Sequence, residues 1–161
     1  MISIKKLTAH HTESVKAIEL EQDQMKYAEA AVEFLTSSDK QTHLHVIFFN
    51  GQVVGFFKID TAYSENYEFC PKGSLGLRSF VIDKKRQGQG LGTGTVKALF
   101  DYLANHYSNF ESIYLTVNCQ NPRAVACYQK GGFEDTDLIY HGGNAGPQNI
   151  LCGPIRKNKP R

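Results

Sequence analysis

From Gly88 to Gly94 every second residue is glycine, within the segment Gln87-Gly88-Gln89-Gly90-Leu91-Gly92-Thr93-Gly94. What flanks this run limits the fold sharply. Leu75 to Ile82 before it reads as a strand, continued by Asp83-Lys84-Lys85-Arg86. After it, Leu91, Val96, Leu99, Phe100 and Leu103 recur at helical intervals, predicting an amphipathic helix to about Tyr107. Strand, glycine loop and helix in succession form one unit of a layered α/β domain. The glycines let the backbone turn tightly and gather several N–H groups, and the helix N-terminus adds partial positive charge. Such a loop suits an anionic phosphate.

Spacing narrows the choice of phosphate ligand. A dinucleotide loop needs G-x-G-x-x-G, but counting from Gly88 the last position is Thr93, and counting from Gly90 it is Thr95. A P-loop needs a Gly-Lys-Ser/Thr triplet, and the chain has none there. The cluster also stands midway along the chain, after a hairpin, whereas a dinucleotide fingerprint opens its βαβ domain. The plainest alternative is a tight turn packed for its own sake.

Elsewhere the pattern alternates strands and helices. Ile2 to Leu7 begins as a strand. Residues 11 to 36 read as helical in two pieces, with Val15, Ile18, Val32, Phe34 and Leu35 among the buried positions. Glu19, Glu21, Asp23, Glu29 and Glu33 make residues 19 to 33 acidic, either as a solvated face or as a wall that attracts a cation. His43 to Phe49 and Gln52 to Asp60 flank Asn50-Gly51, a strong hairpin signal. His43 and His45 share one face of the first of these strands, which favours a structural role over a metal, because no third ligand is evident. Residues 61 to 73 form a long polar and aromatic connection. Ile113 to Val117 is a short buried-type strand, and Pro122 opens a helix that ends at Gly131-Gly132. Phe133 to Tyr140 and Asn149 to Ile155 are the last strands, before a basic tail. The order is β-α-α-β-β-β-α-β-α-β-β, a mixed α/β (α+β) domain.

A length of 161 residues fits one domain. Hydrophobic residues at 41% and charged residues at 21% mark a globular chain, and a net charge of +2 is too small to imply a nucleic-acid or membrane surface. Nothing resembles a signal peptide or a membrane span. Cys70, Cys119, Cys127 and Cys152 show no paired spacing and read as small buried hydrophobes in a reduced, cytoplasmic setting.

Gln87-Gly88-Gln89-Gly90-Leu91-Gly92 fits Q/R-x-x-G-x-G, and here the sequence resembles the GNAT family of N-acetyltransferases. Phe80-Val81-Ile82-Asp83 resembles the end of that family's fourth strand. Asn121-Pro122-Arg123-Ala124-Val125-Ala126-Cys127-Tyr128-Gln129-Lys130-Gly131-Gly132-Phe133 then matches N-x-x-A-x-x-x-Y-x-K-x-G-F at every fixed position. The two motifs, in order and at family spacing, cover about residues 75 to 135.

The resemblance implies a GNAT-like, mostly antiparallel sheet of about six or seven strands flanked by about four helices, with a central β-α-β crossover. It implies a single domain over 1–161, with an acceptor-side half (about 1–73) and an acetyl-coenzyme-A-binding core (about 74–135). Acetyl-coenzyme A is then the co-substrate and no metal is needed. Its pyrophosphate would rest on Gln87, Gly88, Gln89, Gly90, Leu91 and Gly92, with Thr93 opening the helix, and Gly90 and Gly92 allowing close approach. Its pantetheine arm would pair with the backbone of Phe80, Val81 and Ile82 and reach Asn121, which also suits a helix cap. Tyr128 corresponds to the catalytic tyrosine that protonates the departing thiolate, although a core aromatic is its other reading. Lys130 and Phe133 are implied to be structural, and Cys127 helix packing.

The reaction implied is direct attack of a neutral amine on the thioester carbonyl, with no acetyl-enzyme. Leu75 to Phe80 lacks the glutamate that many relatives use as a base, leaving Glu65, Glu68 or a water relay. Arg78 faces either an acceptor carboxylate or an ion-pair partner. The expected acceptor is a small cationic amine: a polyamine, amino sugar or amino acid. A protein N-terminus or lysine is the alternative acceptor, and a non-catalytic coenzyme A sensor the alternative function. Neither nucleic acid nor membrane is expected as a partner; a homodimer is possible for such a family.

Overall fold

A computed structural model describes residues 1–21, 30–143 and 146–156. One seven-stranded sheet runs through it in the order β1-β2-β3-β4-β5-β7-β6. Its strands are β1 (Ile2–Lys6), β2 (Thr42–Phe49), β3 (Gln52–Asp60), β4 (Ser74–Ile82), β5 (Ser112–Asn118), β6 (Glu134–Tyr140) and β7 (Gln148–Pro154). Only β4 and β5 are parallel, joined by the crossover helix α4 (Leu91–His106). The last strand inserts between β5 and β6, pairing with both antiparallel.

Local sequence explains much of this. Asn50 and Gly51 take φ of 50° and 81°, the positive pair that a type I′ hairpin demands. Asn121 caps α5 (Pro122–Gly131) by accepting from the Ala124 N–H at 3.4 Å, Pro122 occupies the first turn, and Gly132 ends the helix at φ 126°. The amphipathic face of α4 buries Leu91, Val96, Leu99 and Leu103 against Leu75, Leu77, Ile113 and Leu115 of the sheet. On the opposite face, α1 (Thr12–Lys16) and α2 (Ala31–Leu35) pack Val15 and Phe34 against Val46, Phe56 and Val81. The Phe34 and Phe56 rings stack at 4.1 Å.

Some expectations are corrected. Val32 is 64% exposed rather than buried, because α2 is a single short turn whose inward positions are Ala31 and Phe34. Residues 61 to 73 are not wholly loop: Tyr63–Asn66 form one helical turn, α3. Of the acidic stretch, Asp23 and Glu29 lie outside the described residues, while Glu19 pairs with Lys84 at 3.6 Å. Among the described residues no helix is long and apolar enough to cross a membrane, and no group of His, Cys, Asp and Glu could hold a metal.

Candidate active site

The sheet opens between its two parallel strands. β4 and β5 pair at Ser74–Ser112, Leu75–Ile113 and Gly76–Tyr114, with the two serine hydroxyls 2.6 Å apart, and then separate. A bulge at Ser79 lies just beyond the last paired residues. The Ser79 φ of 54° is left-handed backbone in a non-glycine residue, and the β3–β4 register slips there. A regular strand would send Leu77, Ser79 and Val81 to one face. The bulge reverses the phase, so Phe80 and Ile82 join Leu77 in the core under α4 while Val81 turns to the core under α1 and α2.

The gap is a cleft of about 780 Å³ that passes through the sheet. On the α4 and α5 side it is lined by Gly88, Gly90, Leu91, Gly92, Thr93, Asn121 and Tyr128; on the other side stand Tyr63 and Tyr67. Gly88 and Gly90 have φ of 84° and 73°, with open space where a Cβ would lie. The first turn of α4 leaves its N–H groups without helical acceptors, directed out of the helix start. Gln87 fastens the loop to the strand, its amide donating to the Ile82 carbonyl at 3.1 Å.

The structure brings most of the sequence-predicted residues together. Phe80, Ile82, Gln87, Gly88, Gly90, Leu91, Gly92, Thr93, Asn121 and Tyr128 all line the cleft. Two do not: Gln89 points to solvent from the loop tip, and the Val81 side chain is buried on the far face by the bulge. Gly92 also has a different reason to be glycine. Its missing side chain makes room for α5, since a Cβ there would stand 2.9 Å from Cys127 Sγ. Cys127 is accordingly a packing residue, touched by the Thr93 hydroxyl at 3.9 Å, and burial pushes its thiol up.

Tyr128 is half-buried, its ring edge-on to Phe80 and Phe133, each at 5.7 Å. Burial, with Cys127 alongside, pushes its phenol above the ordinary value near 10, so it holds its proton at neutral pH. Phe133 is buried beneath Phe100 and anchors the start of β6. Lys130, read from sequence as structural, lines the cleft with Arg86 and Arg123. Arg78 lines it too, ion-paired at 3.3 Å with the buried Asp60 of β3. Neither Glu65 nor Glu68 reaches the lining, and among the described residues no carboxylate does.

Sequence reading missed Tyr63, Tyr67 and Thr116 as cleft residues. The signal available was the density of aromatics, Tyr63, Tyr67 and Phe69, in an otherwise polar connection.

The Acetyltransferase (GNAT) family profile matches residues 7–133. The chain belongs to the GNAT family. A spermine/spermidine N(1)-acetyltransferase of Bacillus subtilis (strain 168) is 30% identical over 147 residues, covering 88% of this chain and 93% of that protein. Two solved structures share the fold. An AAC(6')-Ib structure in complex with paromomycin and acetyl-CoA aligns over 95% of this chain and 93% of its own at TM-score 0.77, with 19% identity. Spermidine N-acetyltransferase from Vibrio cholerae, in complex with CoA and spermine, aligns over 96% of this chain and 95% of its own at TM-score 0.71, with 18% identity. This GNAT protein is therefore an acetyl-CoA-dependent N-acetyltransferase. Its family and its mixed, mostly antiparallel fold are those the two motifs implied.

Proposed function

We propose that this GNAT enzyme acetylates a primary amine of a small polycation, a polyamine first and an amino sugar second. The observation that carries this reading is the chemical difference between the two sides of the cleft. On one side the glycine loop, the start of α4 and the cations Arg86, Arg123 and Lys130 suit the phosphates of acetyl-CoA. On the other, the lining is aromatic and hydroxylic, and the charge of Arg78 is met by Asp60. The Bacillus subtilis relative, a spermine/spermidine N(1)-acetyltransferase, supports the same substrate class. The proposal divides the chain into an acceptor-side half, about 1–73, supplying Tyr63 and Tyr67, and a coenzyme core, about 74–135, supplying the loop and Tyr128.

In this reading Gly88 to Thr93 hold the pyrophosphate, and β4 from Phe80 to Ile82, unpaired with β5, lends its backbone to the pantetheine. The neutral amine nitrogen attacks the thioester carbonyl, a C–N bond forms, and the C–S bond breaks. Sulfur gains the Tyr128 phenol proton. Nitrogen loses one to water, and solvent returns a proton to Tyr128, so no acetyl-enzyme arises. A water relay is the proton acceptor in this reading, and among the described residues no carboxylate lines the cleft.

The test is thiol release from acetyl-CoA against spermine, spermidine, aminoglycosides, amino acids and short peptides. Turnover with the polyamines supports the proposal. Turnover with peptides alone refutes it.

A further inference from the structure

Beyond the cleft wall, Tyr67 belongs to an aromatic cluster assembled from three separate segments. Tyr63, Tyr67 and Phe69 come from the β3–β4 connection, Tyr114 from β5 and Tyr140 from β6. Tyr67 lies 4.4 Å from Tyr63, 5.4 Å from Phe69 and 5.5 Å from Tyr140, ring to ring. Phe69 also approaches Tyr140 at 5.7 Å and Tyr114 at 6.3 Å.

The cluster is built into the fold at its base. A Cβ on Gly76 would meet the Tyr63 ring at 2.1 Å, so glycine there lets Tyr63 lie flat on β4, where β4 and β5 last pair. Tyr63 is 2% exposed, closed in between β4 and the rings of Tyr67 and Phe69. Tyr67, Phe69, Tyr114 and Tyr140 are only half-buried, which leaves ring faces to a ligand. Cross-strand pairing sets Asn118, Gln148 and Tyr140 in one row, and the first two line the cleft. The cluster therefore adjoins the cleft on the face opposite α4 and α5.

A buried or half-buried ammonium needs a partner, and among the described residues lining the cleft none is a carboxylate. Tyrosine faces supply negative quadrupole potential, and stacked rings shelter methylene groups. We infer that Tyr67, backed by Tyr63 and flanked by Tyr140, is the acceptor subsite that takes the second ammonium and linking methylenes of the polyamine while the first amine is acetylated. This inference rests on the proposed polyamine acceptor. It makes the π face of position 67, not its hydroxyl, a determinant of specificity.

The experiment measures KM and kcat for spermidine and for a monoamine of similar length, in the wild type and in Tyr67→Phe, Tyr67→Leu and Tyr140→Leu, with thermal melts to establish folding. The expected result is that Tyr67→Phe keeps the spermidine KM within about twofold, while Tyr67→Leu raises it about tenfold. Tyr140→Leu, on the exposed edge strand, raises it less. The monoamine, which keeps the methylenes but lacks the second ammonium, loses less than spermidine in Tyr67→Leu. Equal losses for spermidine and monoamine, equal losses in Tyr67→Phe and Tyr67→Leu, or an unchanged spermidine KM in folded Tyr67→Leu and Tyr140→Leu would overturn the inference. A wild type inert toward every polyamine fails the reading beneath it first, and the inference with it.

Discussion

Cys127 of α5 fills the space that a side chain at Gly92 of α4 would need, its Sγ 2.9 Å from the position of a Cβ there. The glycine-loop motif and the Asn121–Phe133 motif are thus two halves of one packed joint. Gly131 extends it, since a Cβ there would meet Val96 at 2.3 Å. Gly92→Ala should cost about 1–3 kcal/mol by overpacking, outweighing the usual helical gain of alanine over glycine. Cys127→Ala in the same chain should restore most of the loss, which chemical denaturation of the two variants and the double variant will show.

At Gly90 the demand is different. No neighbour crowds it, but its φ of 73° is left-handed, at a cost of about 1–2 kcal/mol for most side chains and less for asparagine. Gly90→Val should weaken acetyl-CoA binding at least tenfold and Gly90→Asn distinctly less, measured by calorimetry. Equal losses would assign the effect to side-chain bulk rather than to backbone conformation.

Tyr128→Phe keeps the ring contacts with Phe80 and Phe133 and removes only the hydroxyl. The account predicts a drop of about 100-fold in kcat, the lower range for general acid catalysis, with little change in acetyl-CoA affinity. An undiminished kcat would return Tyr128 to a core role.

The pH–rate profile tests how the amine loses its proton. With no described carboxylate in the cleft, kcat/KM should rise tenfold per pH unit toward the pKa of the amine, near 10. Because Tyr128 is held above its ordinary value, it should impose no falling limb below about 10. A plateau beginning near neutrality would point instead to a protein base.

His45 makes stability pH-dependent apart from the active site. It is fully buried, stacked on Phe57 at 5.0 Å, with Nδ1 3.1 Å from the His43 carbonyl and Nε2 unbonded. Burial pushes its pKa from 6.5 down to about 4, so the unfolded chain binds this proton first as pH falls. Stability from this group is complete above about 6.5 and declines by about 3 kcal/mol toward pH 4. In urea titrations His45→Phe should lose that portion of the acid-side decline.

What was legible in the sequence follows physical range. Asn50-Gly51, the Asn121-Pro122 cap and the alternating glycines impose local backbone geometry, and each appears where its residues require it. The placing of β7 between β5 and β6 depends on pairing between distant strands, which no local pattern encodes. Val32 misled because a periodic pattern over a five-residue helix has too few turns to fix an inward face. Ser79 hid the bulge, since nothing in Arg78-Ser79-Phe80 forces positive φ; the fold imposes it. The aromatic wall was unread because its rings converge from residues 63 to 140 only in three dimensions.

The most direct test of the central claim is a steady-state assay of thiol release from acetyl-CoA with spermine and spermidine, with mass spectrometry of the products. The account predicts saturable turnover, one acetylated amine per thiol released, and no acetyl group left on the enzyme. Tight acetyl-CoA binding without turnover on any polyamine, or an accumulating acetyl-enzyme, would contradict it.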